Sequence, residues 1–239
     1  MLVEYFFRHV PDGTTNFNMA SVWIALFISV LLVHKFRYSK LLLNFVFGSM
    51  LCLQLLLIYW YYGEPSTFLH EGLPLFHCRI AEIMIPLMYY MNQKKIAFYF
   101  SWLGIIGTTL AFTIPDPSRY VWPHITNVTY IGSHILLMCA SIMVIENVET
   151  GLRSIDIMSI TLAMNTLVLA VDLLLKANYC YLMQLPFKLW FTPNGVIIFI
   201  IMTFLLICSI SFLQKEYEIA CKRNLAKKAT IKDDTDYLQ

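Results

Sequence analysis

Glu71-Gly-Leu-Pro-Leu-Phe-His-Cys-Arg-Ile-Ala-Glu-Ile-Met-Ile-Pro-Leu-Met-Tyr-Tyr90 is apolar enough to enter a bilayer, yet it carries His77, Cys78, Arg79 and Glu82. Hydrocarbon does not tolerate such groups without a reason, since one ionisable side chain at the centre of a spanning helix costs roughly 2.5–3.5 kcal/mol on insertion scales. Four of them close together read as a site set into a membrane helix.

The whole chain agrees with that solvent. Of its 239 residues 59% are hydrophobic and 13% charged, with a mean hydropathy of +0.65, whereas soluble domains are about half apolar and a quarter charged. The net charge of +2, with the basic residues in short loops and one tail, gives no sign of a nucleic-acid partner, and none is expected. Cys52, Cys78, Cys139, Cys180, Cys208 and Cys221 lie mostly inside apolar runs at no metal-ligand spacing. Neither a disulfide framework nor a metal or cofactor site is expected from them.

Residues 1–18, with Glu4, Arg8 and Asp12 among aromatics, are too polar to span and suit an interfacial segment or cap. The first apolar run, about 19–36, has no cleavage pattern after it and is a retained helix. Further runs follow at about 40–62, 73–91, 95–114, 126–146, 154–176 and 192–213, each near the roughly 20 residues that cross a bilayer. Gly63 to Pro65, Pro115 to Pro117, Pro123, Pro186 and Pro193-Asn194-Gly195 punctuate them. The expectation is an all-α, polytopic bundle of seven transmembrane helices over residues 19–213, followed by a basic cytoplasmic tail over 214–239. Lys35, Arg37, Lys40, Lys94, Lys95 and the tail make alternate loops basic, with Lys176 and Lys188 dissenting, so the N-terminus is placed outside and the C-terminus inside.

Polar content divides the spans. Those at 73–91, 126–146 (Thr126, Asn127, Thr129, Tyr130, Ser133, His134) and 154–176 (Asp156, Asn165, Thr166, Asp172) should form the inner group, and the others, apolar apart from Gln54, should face lipid. At about 1.5 Å per residue Cys78 falls roughly 8 Å and His134 roughly 10–12 Å below the outer boundary. Asp172 lies a little shallower and His124 at the rim. A thiol and an imidazole at one depth suit nucleophilic catalysis, with His134 taking the proton from Cys78 and returning it to the leaving group. Glu82, one turn below Cys78, or Asp172 would hold the imidazole in its working tautomer. Asn178, Arg79 or a backbone N–H near Pro74 would supply oxyanion donors. The carbonyl available at that depth is a phospholipid ester. Arg79 suits a lipid phosphate, Asp156 a helix start, His124 an interfacial anchor, and Asn178-Tyr179 a cap on the outer loop.

Leu73-Pro-Leu-Phe-His-Cys78, Trp122-Pro-His124 with Gly132-Ser-His134, and Ala177-Asn-Tyr-Cys-Tyr-Leu182 resemble, in order and spacing, the motifs of the YwaF / transmembrane protein 164 family. The resemblance spans roughly residues 70–195. It implies a seven-helix membrane protein and, from the animal branch, a cysteine-centred acyltransferase moving a fatty acyl chain between phospholipids, with Cys78 as nucleophile and His134 as base. The family usually reads Leu-Pro-Leu-His-x-Cys; here His77 directly precedes the cysteine. That shift turns the imidazole about 100° around a helix and leaves His77 a supporting residue beside Glu82, Asp172 and Asn178. Arg79, His124, Tyr130 and Tyr179 are the lipid-contacting candidates. The expected setting is the plasma membrane of a bacterium, with the site toward the outer leaflet and a phospholipid or lysophospholipid as substrate. Two other classes fit the same residues: a transporter or channel with His77, Glu82, His134 and Asp172 along a polar path, and a lipid-binding scaffold without turnover. The sequence holds no phosphate-cradling glycine loop and no His-Glu-x-x-His motif.

Overall fold

Pro74 decides where the central helix begins. Proline has no N–H to donate and disfavours helical backbone in the residue before it. Leu73 is accordingly extended (ψ 146°); Phe76, the N-cap, is extended too (ψ 143°), and the helix starts only at His77. In this computed structural model, which describes residues 2–15, 18–185 and 193–236 (without side chains for 2, 66 and 224–236), the helices are α1 (Leu2–Phe6), α2 (Met19–Lys35), α3 (Lys40–Tyr62), α4 (Pro65–Thr67), α5 (His77–Tyr90), α6 (Lys94–Thr113), α7 (Ile125–Asn147), α8 (Ser154–Leu175) and α9 (Gly195–Asp236). A π turn covers Phe68–Gly72 and a 3-10 turn Tyr179–Tyr181; no strand occurs among the described residues. Pro186 and Lys188 lie outside them, as do the side chains of Lys227, Lys228, Asp233, Asp234 and Asp236.

Five of these helices, α3, α6, α7, α8 and α9, are long and apolar enough to cross a membrane. The chain is an integral membrane protein. Helix α2 is 17 residues long and α5 only 14, about 21 Å at 1.5 Å per residue. The run expected to span 73–91 therefore combines an extended lead-in with a short helix. Nor does a break separate the last span from the tail, because α9 continues without interruption through Gln214 to Asp236.

Caps set the other boundaries. The Asn18 side chain accepts from the Ala20 N–H at 2.9 Å and Ser39 Oγ from the Leu42 N–H at 3.3 Å. Asp156 accepts from the Arg153 N–H at 3.1 Å, which makes it the helix-start residue its position suggested.

The expected inner group needs correction. More than half of α6 and α7 is buried, against about a third of α8. Small residues explain the exchange: a Cβ on Gly104 would strike Ser141 and Leu137 of α7, and one on Gly107 would strike Cys78 of α5. Where hydrocarbon surrounds the bundle, close approach over small residues holds helices together. Thus α6, with few polar groups, is wedged between α5 and α7. The polar residues of α8 instead make specific bonds, Thr161 to Tyr99 of α6 at 2.7 Å and Asn165 to Thr203 of α9 at 2.9 Å. Phe27, Leu31, Phe45, Leu55, Leu167 and Phe204 project outward, as lipid contact requires.

One end of the bundle is basic. There the ends of α2 and α7 join through His34 and Arg37 to Glu146 (2.8 and 3.6 Å) and Lys95 meets Asp156 at 3.1 Å. The other end is capped by the N-terminal segment: Arg8 donates to the carbonyls of Val121 (2.6 Å) and Pro123 (3.2 Å), and Trp60 Nε1 to Phe7 O (3.2 Å).

Candidate functional site

Cys78 is the second residue of α5, half-buried, with its thiol against the Cα side of Gly107. Next to Gly107, Thr108 donates its hydroxyl to His134 O at 3.1 Å. Successive residues of α6 thus hold the thiol on one side and the imidazole-bearing turn of α7 on the other. No hydrogen bond joins Cys78 to His134.

His134 is fixed by its own helix. Its Nδ1 lies 2.6 Å from Tyr130 O; a carbonyl only accepts, so Nδ1 carries the hydrogen and Nε2 keeps the lone pair. The ring rests against Tyr130 (5.0 Å between centroids) and Phe112 (5.7 Å). Tyr130 in turn donates its hydroxyl to Ala111 O. This backbone carbonyl does the orienting that Glu82 or Asp172 was expected to do. Glu82, buried, reaches Ser133 of α7 instead, and Asp172 accepts the Tyr179 N–H at 2.8 Å, closing the loop after α8.

The remaining candidates separate into joints and one cation. His77 Nε2 donates to Asn165 Oδ1 at 2.9 Å, continuing the Asn165–Thr203 bond and so linking α5, α8 and α9. Asn178 is a loop clasp, accepting from the N–H groups of Met183 (3.1 Å) and Gln184 (3.0 Å) and donating to Gln184 O (2.8 Å). Tyr179, fully buried, donates to Leu69 O at 3.1 Å and accepts from the Leu73 N–H at 3.2 Å. It is no lipid contact. His124 is not a rim anchor either: it is fully buried as the N-cap of α7, stacked on Tyr120 at 3.8 Å. Its Nε2 donates to Arg8 O at 2.8 Å and its Nδ1 accepts from the Thr126 hydroxyl at 2.7 Å. Burial holds that imidazole below its ordinary value. Arg79 remains half-buried beside Cys78, donating to Glu71 O at 2.6 Å and lying over the rings of Phe76 (5.2 Å) and Tyr61 (5.4 Å).

Three residues matter that the sequence did not single out. Gly107 touches the thiol; its signal is the small-residue spacing Gly104-Ile-Ile-Gly107. Ser133 meets Glu82, for which adjacency to His134 was the only hint. Cys180, in a left-handed conformation (φ 58°), donates its thiol to Leu75 O at 3.0 Å and takes the His77 N–H, so a sulfur closes the start of α5. Among the described residues no His/Cys/Asp/Glu group is arranged to hold a metal ion.

No curated protein and no solved structure matches the chain. The TMEM164 family model matches residues 11–214, across the helices that carry Cys78 and His134, and the chain belongs to the TMEM164 family.

Proposed function

We propose that this chain is a membrane-embedded phospholipid acyltransferase that carries the acyl group as a thioester on Cys78, with His134 as its base. The observation that supports the reading is that successive residues of α6 meet both elements: Gly107 the half-buried thiol in the first turn of α5, and Thr108 the backbone of His134, whose Nδ1–H is committed to Tyr130 O and whose Nε2 is left to accept a proton. His134 Nε2 takes the proton from Cys78 Sγ. The thiolate attacks the ester carbonyl, and the tetrahedral intermediate collapses as the lysophospholipid oxygen leaves with the proton from Nε2. The hydroxyl of a second lysolipid, deprotonated by the same nitrogen, then attacks the thioester and restores the thiol. The N–H groups of Cys78 and Arg79, in the first turn of α5, have no acceptor within their helix and are the natural oxyanion donors.

Arg79 is placed to meet the lipid phosphate. The bundle crosses the bilayer seven times, with α2 and α5 as its short members. The capped end faces outward and the basic end the cytoplasm, which sets the site toward the outer leaflet. A continuous polar path is the weaker reading, because His77 and Asp172 are bonded within separate joints.

Purified protein incubated with an acyl-labelled phospholipid tests the mechanism by intact mass. A labelled adduct on Cys78 is expected. His134→Ala should slow its formation by about 100- to 10,000-fold, the span of general-base effects, and Cys78→Ser should abolish acyl exchange in folded protein. Full exchange in Cys78→Ser would sink the thioester route.

A further inference from the structure

Gln54 and Glu82 are buried almost completely, at 2% and 1% exposure, and three of their polar atoms find no hydrogen-bond partner: Gln54 Nε2 and Oε1, and Glu82 Oε2. They share one seam. Antiparallel α3 and α5 are in register at both ends of it: Phe47 sets its ring edge-on to Tyr89 at 5.6 Å, and Tyr61 packs on Gly72 just before α5. Gln54 is seven residues from Phe47 and seven from Tyr61, while Glu82 is seven before Tyr89. Seven residues are two turns to within about 20°, so the carboxamide and the carboxyl come to the same level of the same seam. On the third side, Ser133 of α7 meets the carboxyl of Glu82.

The charges around this seam do not balance an ionised Glu82. Arg79, the cation within electrostatic reach on α5, directs its guanidinium to Glu71 O and Leu73 O. From α7 come Ser133 and His134, whose Nδ1 is bonded to Tyr130 O; from α3 comes the neutral Gln54; from α6 come Gly107 and Thr108. An uncompensated carboxylate here would cost several kcal/mol. A neutral carboxyl brings a donor, and the unpartnered set then holds N–H and O–H donors with a carbonyl acceptor. A single water, able both to accept and to donate, satisfies such a set.

We propose that Glu82 is a proton-binding site, its neutral carboxyl joined through one bound water to the Gln54 carboxamide and held by Ser133. The consequence for chemistry rests on the acyl-transfer reading. Glu82 lies one turn from Cys78 and within its electrostatic reach. Ionised, it opposes a thiolate; neutral, it lets one form. It is a positioning residue for the nucleophile's charge and does not orient His134.

Infrared difference spectroscopy on the full chain in lipid nanodiscs tests the site, with helicity and gel filtration as folding controls. The expected result at neutral pH is a carboxylic-acid C=O band that Glu82→Gln removes and that Gln54→Leu moves to higher frequency, with Gln54→Met as the second variant should Gln54→Leu misfold. Absence of a band removable by Glu82→Gln overturns the neutral carboxyl. A band unmoved in the folded Gln54 variant overturns the bridge. In the adduct assay, acylation of Cys78 in wild-type chain should fall as alkaline pH ionises Glu82, and Glu82→Gln, permanently neutral, should lose that fall; an alkaline fall unchanged in folded Glu82→Gln overturns the assigned role. If wild-type chain shows the band and its shift but no adduct, acyl transfer falls and the proton site stands.

Discussion

Gly107 has to stay a glycine for Cys78 to lie where it does. A Cβ there would stand 2.6 Å from Sγ, closer than atoms pack, while α5 and α6 are already in contact along the seam. Gly107→Ala must turn the thiol away or spread the helices. It is expected to slow acyl-adduct formation on Cys78 about 10-fold or more, equivalent to roughly 1.4 kcal/mol, with helix content unchanged. Gly48→Ala is the matched control, because a Cβ at that position of α3 meets nothing within 4 Å. Equal rates for the two variants would separate the thiol's position from its reactivity. His134 is set at the same scale: with Nδ1 fixed on Tyr130 O, Nε2 alone is left for the proton transfer that the proposed mechanism requires.

His124 and Asp12 contribute in opposite charge states, one neutral and one ionised, yet both lose their contribution as pH falls. His124 is neutral in the fold, because protonating Nδ1 would set a new N–H against the Thr126 N–H and hydroxyl that Nδ1 now accepts. Its folded value lies below the ordinary 6.5, burial being the first cause, so the unfolded segment binds the proton first as pH falls. The contribution of this cap is full above about pH 6.5 and is lost as pH drops below it toward the folded value. Asp12 is held below its ordinary 3.8 by the Arg8 guanidinium and the Val121 N–H, and keeps its contribution until far more acid conditions. Hydrogen exchange corrected for intrinsic rates should therefore show residues 120–128 opening faster at about pH 5 than at about pH 7.5. His124→Asn should flatten that difference. Elements like this one were only half legible in the sequence. Asp156 announced its cap through the charge-at-first-turn pattern, whereas His124 beside Trp122 and Pro123 looked interfacial, because its acceptor, Arg8 O, lies 116 residues away. The start of α5 was misplaced for a local reason, since hydropathy is blind to the non-helical lead-in at Leu73–Phe76, where Pro74 keeps Leu73 extended and the Leu75 N–H turns back to Leu73 O at 2.8 Å. Depth of Cys78 and His134 could be counted along helices, but the helix that touches both their elements does so through Gly104 and Gly107, and small residues carry no polar signal.

The orientation proposed for the whole molecule rests on where charge is kept out of hydrocarbon. His34, Lys35, Arg37, Lys94, Lys95 and Arg153 lie at or beside the ends of α2, α6, α7 and α8 that meet at the basic end, whereas the capped end is closed by α1, the 115–124 loop and the 176–184 turn. Basic loops stay on the cytoplasmic side. The seven crossings proposed would set residues 10 and 222 on opposite sides, and α9, 42 residues or about 63 Å long at 1.5 Å per residue, exceeds the ~30 Å hydrocarbon core and must emerge from it. Single cysteines at Val10, exposed at the capped end, and at Lys222, exposed on α9, in a background with Cys52, Cys208 and Cys221 replaced, should report this with a membrane-impermeant maleimide. In right-side-out vesicles position 10 should label and position 222 should not until detergent is added. In inverted vesicles the order should reverse. Labelling of both from one face would mean an even number of crossings, with α2 or α5 too short to traverse, and if that face is the cytoplasmic one Cys78, at the same capped end as position 10, leaves the outer leaflet.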